Sequence, residues 1–278
     1  MPMKISGLQT AGTPGEVSAN LRELDLACAQ ARARGSRLLI TPEMFLTGYN
    51  IGDRVHELAE EDLLPPVRRI AREHELALVV GLPEREHGVC YNSAVFVAPD
   101  GEVLGRHRKT HLFGDLDRAY FAPGDRLTTV VDFEGVRVAL LICYDVEFPE
   151  TVRAAAEAGA DLVAVPTAQM EPYAFVADHM LRVRAWENQL YLAYINHDGA
   201  EGDLRYVGRS SLVAPSAEVL DRVEYGSRLL SATVDPEVVR RARGANPYLA
   251  DRRTDLYADA AADPHTPATT RTSEDSAC

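Results

Sequence analysis

The stretch VRVALLICYDVEFPE, residues 136–150, decides how this chain is read. An apolar run rich in β-branched residues stops abruptly at Cys143, and Pro149 then stands where a helix begins. A short apolar run bounded by turn residues is a buried strand, and proline at a first helical position is pre-set for a helix it cannot interrupt. Cys143 therefore sits at a strand-to-helix turn, where a nucleophile is held rigidly and neighbouring backbone N–H groups can face an oxyanion. The simpler alternative is a core cysteine that merely ends a strand, because Cys is among the most buried residue types. Chemistry would also require help. A thiol with a reference pKa of about 8.5 is only a few per cent thiolate at neutral pH, and lowering it to about 7 takes about 2 kcal/mol. A nearby ammonium or general base can supply this.

Two other strand ends offer such partners. Glu43 follows the apolar run RLLIT (37–41) and Pro42, and Lys109 follows EVLGRHR (102–108) in RHRKTHLFG. Apolar walls raise a carboxylate's pKa and suit it to general acid–base work. Taken singly, Glu43 reads as an ordinary loop acid and Lys109 as part of a solvated basic cluster. Together they carry more weight, because clefts form outside strand termini.

The surrounding pattern interleaves helices with near-continuous apolar strands. A strand is expected over 4–9, followed by a helix capped by Thr13, Pro14 and Glu16, with Val17, Leu21, Leu24, Cys28 and Ala31 on one face and a stop at Gly35. Further helices are expected over 56–74, 149–159 and 174–189, and strands over 77–82, 161–166, 190–196, 210–215 and 228–235, with a short helix after the last. Hairpins turn at Pro99-Asp100-Gly101 and at Glu134-Gly135. Such a mixture predicts an α/β fold of helices layered over mixed sheets rather than one doubly wound sheet. No internal repeat of fixed period is evident. Residues 260–278 are polar and rich in small residues, and read as a flexible tail.

Composition narrows the function classes. The 278 residues carry a formal charge of −13, and no Lys/Arg run exceeds two, which argues against nucleic acid as a partner. Neither a signal-type apolar segment nor a membrane-length apolar stretch is found, so no membrane partner is expected. Cys28, Cys90, Cys143 and Cys278 form no C-x-x-C pair, so neither a disulfide framework nor a zinc ribbon is suggested, and a reducing cytoplasm fits best. No metal is expected, since neither H-E-x-x-H nor a His/Cys cluster with ligand spacing occurs. His111, His179 and His197 keep a Cys–His hydrolase in view, without any papain- or caspase-like signature around Cys143.

The blocks TPEMFLTGY, RKTHLFGDLDRAYFAPGD and ICYDVEFPETVR, in this order, resemble the nitrilase superfamily of carbon–nitrogen hydrolases. GADLVAVPTA, Arg184 to Asn188 and GRSSLVAPSAEVL extend the resemblance from residue 4 to about 257, so the matching domain is set at 1–259. The resemblance implies a four-layer α-β-β-α sandwich with two mixed β-sheets, a Glu43-Lys109-Cys143 triad, no cofactor and a homodimer or higher homo-oligomer. It also implies a second glutamate six residues before the proline of an F-x-P-G segment. That proline is Pro123, and Asp117 stands at the position, with Asp115 as the alternative acid.

Within that resemblance, Cys143-Tyr144-Asp145 differs from the Cys-Trp-Glu of true nitrilases and favours an amide or carbamoyl bond. The small-molecule substrate is expected to be an aliphatic or amino-acid-type amide, with an ω-amidase or N-carbamoyl amidohydrolase as the alternative and a catalytically silent relative as a third reading. The Tyr144 N–H is expected at the oxyanion. Tyr49, Asn50, Asp145, Glu147, Gln169, Glu171 and Tyr173 are the expected substrate contacts, with Asp145 and Glu147 either facing a substrate amine or belonging to a solvated turn.

Overall fold

The computed structural model describes residues 1–257, and the tail expected over 260–278 lies outside them. The first elements are β1 (Met3–Gln9), α1 (Val17–Ala33), β2 (Leu38–Ile40), α2 (Arg54–Leu58), α3 (Leu64–His74), β3 (Ala77–Glu86), β4 (Val89–Val97) and β5 (Val103–Arg108). Next come α4 (Gly114–Tyr120), β6 (Thr129–Phe133), β7 (Val136–Leu140), α5 (Pro149–Glu157), β8 (Leu162–Thr167), α6 (Leu181–Asn188) and β9 (Tyr191–Asn196). The last are β10 (Asp198–Glu201), β11 (Leu204–Val207), β12 (Ser210–Val213), β13 (Val219–Val223), β14 (Arg228–Val234), α7 (Pro236–Ala245) and α8 (Tyr248–Asp251).

Two six-stranded sheets result, ordered β14-β1-β2-β3-β4-β5 and β13-β12-β9-β8-β7-β6. Each has a parallel centre, β1-β2-β3 or β7-β8-β9, with antiparallel strands on both sides. Side chains alternate between faces with period two. Leu38, Ile40, Ala77, Val79 and Phe96 thus meet Val138, Leu140, Leu162 and Ala164 between the sheets. Leu39, Leu78 and Val80 point the other way, onto Leu24, Cys28 and Ile70 of α1 and α3. Ala139, Leu141, Val163 and Val165 likewise face Val152, Leu181 and Ala185 of α5 and α6. Both faces of both sheets are covered, so the layers stack α-β-β-α and the strands read as unbroken apolar runs. Truncating Ile40, buried at the inter-sheet face, to alanine would cost about 2–5 kcal/mol.

Several local expectations are corrected. Thr13 and Pro14 lie outside α1, which begins at Val17 with Glu16 at its N-cap and no side-chain capping bond. Gly15 has φ +77° and its N–H bonds the Thr47 carbonyl at 2.7 Å, so the segment is tied to the loop beyond Glu43 and cannot enter the helix earlier. The helix expected over 56–74 is two helices, because Pro65 and Pro66 lack the N–H groups needed to continue α2 and instead occupy the first turn of α3. The helix expected over 174–189 opens with a wide π-helical turn, Val176–Met180. β3 and β4 form a long hairpin around His87-Gly88 that was not expected. Pro83 is tolerated there because β2 pairs β3 only at Ala77–Val79, leaving that side of β3 without a ladder partner.

Strand direction sets the site. β5 is two antiparallel steps from β3 and so runs with β2, and both sheets send chain ends to one edge. The Glu43 N–H bonds the Thr167 carbonyl at 3.3 Å, joining the loop after β2 to the end of β8.

Candidate active site

Glu43, Lys109 and Cys143 follow β2, β5 and β7 and converge, all essentially buried. The loop carrying Glu43 lies hard against β3. A Cβ on Gly81 would stand 2.3 Å from the Pro42 carbonyl oxygen and 2.6 Å from the Met44 nitrogen, so only glycine permits this approach. His197 Nε2 donates to the Glu43 carbonyl at 2.7 Å and fixes the loop from the second sheet. Gly124 plays the same part for Lys109: its N–H bonds the Lys109 carbonyl at 2.8 Å, and a Cβ there would meet the Arg108 carbonyl at 2.4 Å.

The side chains form one buried ionic cluster. Lys109 Nζ donates to Glu43 Oε1 at 2.8 Å and lies 2.6 Å from Asp117 Oδ2. Asp117 therefore reaches the ammonium directly despite its short side chain, whereas Asp115 belongs only to the first turn of α4. Asp117 is fixed in turn by the Tyr49 hydroxyl at 2.8 Å and the Phe113 N–H at 2.8 Å, so both of its oxygens are committed. Asn92 Nδ2 donates to Glu43 Oε1 at 2.7 Å. Glu43 Oε2, in contrast, is buried with no hydrogen-bond partner among the described residues.

Electrostatics follow from burial. Burial penalises the Lys109 ammonium, but Glu43 and the other acids around it more than compensate and hold its pKa well above the usual value. Burial also raises the Glu43 carboxyl above its ordinary range, with Lys109 opposing and Asp117 adding to the rise. The Cys143 thiol is pushed well above its usual pKa by burial and by Glu43, while Lys109 and the Ala168 N–H act in the opposite direction. This corrects the expectation of a lowered thiol pKa. The resting sulfur is a protonated thiol, and the ammonium is already shared by two carboxylates. Cys143 also has φ +44°, a strained value for a non-glycine residue, at the head of a 3₁₀ turn spanning Cys143–Glu147. The Tyr144 N–H lies in that first turn, where no preceding carbonyl of the same helix can accept it.

A cavity of about 180 Å³ opens above the sulfur, lined by Tyr49, Phe113, Tyr144, Glu147, Ala168, Gln169, Met170 and Tyr173. Tyr49, Tyr144, Glu147, Gln169 and Tyr173, expected as oxyanion or substrate contacts, line this cavity. Asn50, Glu171 and Asp145 do not. The Asn50 backbone and side-chain nitrogens bond Glu201, and Nδ2 also bonds Asp203, so it braces the β10–β11 hairpin. Glu171 is exposed and its N–H bonds the Arg205 carbonyl at 2.9 Å.

Asp145 is fully buried and turned away from the cavity. It accepts the Thr110, His111 and Ile142 N–H groups and engages the His111 and His107 rings at 2.9 and 3.3 Å. Burial alone would raise this carboxyl, but hydrogen bonds from His107 and His111 bring it down to about 2. It latches the Lys109 loop to the Cys143 turn. His111 is thereby committed to Asp145, His197 to the Glu43 carbonyl, and His179 is exposed beside Phe175, so none is aligned as a base for Cys143. Among the described residues no group of three or more His, Cys, Asp or Glu could hold a metal ion, and no helix is long and apolar enough to cross a membrane.

Residues 4–244 match the family model for carbon–nitrogen hydrolases. The chain belongs to that family, within the nitrilase superfamily, and is a hydrolase acting on carbon–nitrogen bonds other than peptide bonds in amides. It is 42% identical over 262 residues to a Pseudomonas protegens hydrolase named for the pqqF 5′ region, covering 92% of this chain and 91% of that one. An (R)-stereoselective amidase from a Pseudomonas species is 39% identical, covering 90% of this chain and 92% of its own. An amidase from a Nesterenkonia species superposes with a TM-score of 0.85 at 36% identity, covering 92% of this chain and 95% of that one. Structures of that amidase include one with acrylamide added to its active-site cysteine and one of a variant with butyramide bound.

Proposed function

We propose that the chain hydrolyses a small aliphatic or amino-acid-type amide to the carboxylic acid and ammonia through a Cys143 thioester. The observation that carries this reading is the division of labour on Glu43: Oε1 is held by Lys109 and Asn92, and Oε2 is left free beside a thiol that burial keeps protonated. Glu43 Oε2 takes the thiol proton as Sγ attacks the amide carbon. The Lys109 ammonium and the Tyr144 N–H receive the charge developing on the carbonyl oxygen. The tetrahedral adduct collapses, the carbon–nitrogen bond breaks, and Glu43 returns the proton to the departing nitrogen as ammonia. Water, deprotonated by Glu43, then attacks the thioester and regenerates the thiol. Asp117 acts by holding Lys109, since its own oxygens are occupied.

The carbamoyl and ω-amidase alternatives require a cation for a substrate carboxylate. Among the described residues no basic side chain lines the cavity, and the nearby Lys109 is already shared by two acids, which favours the plain amide. Ammonia release from parallel panels of small amides, nitriles and N-carbamoyl amino acids tests this choice. Turnover confined to amides and abolished in Cys143→Ala is expected, and amide turnover persisting in that variant would sink the mechanism. We further propose a homodimer in which a second copy covers the outer face of α6, where Val183 and Trp186 are exposed. Sedimentation of the native chain against a Val183→Glu/Trp186→Glu variant is expected to show a dimer reduced to a monomer.

A further inference from the structure

Glu147 stands four residues beyond the nucleophile, a little more than one 3₁₀ turn, and its side chain lines the same cavity. The 3₁₀ rise of about 2 Å per residue puts the two Cα atoms roughly 8 Å apart along the turn. It is the one charged side chain in the cavity wall among the described residues. Its carboxylate accepts no hydrogen bond there; the Arg184 guanidinium bonds the main-chain carbonyls of Val146 and Glu147 and pairs with Glu187 instead.

A second, independent feature points the same way. Gln169 lines the cavity, is 3% exposed, and neither its Nε2 nor its Oε1 has a partner. Buried side-chain amides are nearly always bonded, so a partnerless one at a cavity wall marks where a polar ligand group belongs. The remaining wall is aromatic: Phe113 packs edge-on against Tyr144 and Tyr173, at 5.1 and 5.4 Å, with Tyr49 close by. A carboxylate, an amide oxygen and aromatic rings around one small space are the groups that receive a compact cation.

We infer that Glu147 and Gln169 form a subsite for a protonated amine, so that the preferred substrates are small amides bearing an ammonium group next to the carboxamide. This rests on the amidase reading above and narrows it. The cavity, about 180 Å³, is small and suits a compact α-amino amide such as alaninamide. The α-amine of such a compound, with a pKa of about 8, is largely protonated at neutral pH. Burial pushes the Glu147 carboxyl up to about 7, against the pull of Lys109 and Arg184, which is the condition of an acid lacking its counter-ion.

The test compares three near-isosteric amides at pH 7: alaninamide, lactamide and isobutyramide, which differ in carrying an ammonium, a hydroxyl or a methyl group at one position. A charged hydrogen bond is worth about 1.5–3 kcal/mol, so kcat/KM for alaninamide is expected to exceed that for isobutyramide by at least about tenfold. Glu147→Gln is expected to collapse that ratio by about tenfold or more. Equal or better turnover of isobutyramide or lactamide by the native enzyme overturns the inference, as does a ratio unchanged in Glu147→Gln. The native ratio decides by itself if the variant does not fold. Absence of turnover on every amide, neutral ones included, would instead count against the amidase reading.

Discussion

Glu43 and Asp145 are both buried carboxylates within one step of Lys109 or its loop, and they are wired in opposite ways. Asp145 meets backbone N–H groups from two loops and two imidazoles, and its carboxyl is held at about 2. Glu43 has one oxygen pinned and one without a partner, and its carboxyl is raised above the normal range. Saturating a carboxylate with fixed donors makes it a fastener, permanently charged and chemically inert. Leaving one lone-pair face empty in a dry site gives a group able to accept a proton.

Substitution should separate the two roles. Glu43→Gln keeps the shape and the Lys109 contact but cannot take a proton, so kcat is expected to fall by about 10³-fold or more with KM changed only a few-fold, in steady-state ammonia assays. A kcat within tenfold of native would place Glu43 in the fastener class. Asp145→Asn should act first on stability. Its folded pKa lies near 2 against an ordinary 3.8, so its contribution is complete above pH 4 and drains away as the pH falls toward 2. That difference is worth about 2 kcal/mol at neutral pH, and denaturant melts should show the loss in the variant together with a flatter acid limb. Unaltered stability with lost turnover would reverse the assignment. The smallest effect is expected from Asn92→Ala, which removes one of the two donors to Glu43 Oε1: about tenfold in kcat, with melting shifted by only a few degrees.

How much of this was visible beforehand depended on how directly a residue is attached to an apolar strand. Glu43, Lys109 and Cys143 each follow such a run, and the period-two pattern that buries Leu38 and Ile40 on one side and Leu39 on the other was readable as layers. Asp145 was misjudged because a sequence gives the polarity of a turn residue but not which way it faces. Asn92, inside β4, went unnoticed, and His197, just beyond β9, was weighed only for a Cys–His hydrolase; the significance of each lies in a contact across 49 or 154 residues. Phe113 and Met170 line the cavity from irregular loops, where periodicity carries no signal. The β10–β11 hairpin was missed because its strands are four residues each and interrupted by Gly199 and Gly202, yet its Glu201 holds the Tyr49 and Asn50 N–H groups.

The protonated Cys143 has a consequence for how the protein ages. Peroxides and alkylating agents attack thiolates, and exposed low-pKa cysteines are the ones that climb toward sulfenic and sulfinic acids. A sulfur that sheds its proton only as a substrate carbonyl arrives presents no anion to stray oxidants in the meantime. Iodoacetamide is accordingly expected to inactivate the enzyme slowly and with a rate that rises steeply with pH, while EDTA leaves it untouched. The nucleophile is armed by its own substrate and otherwise keeps its safety on.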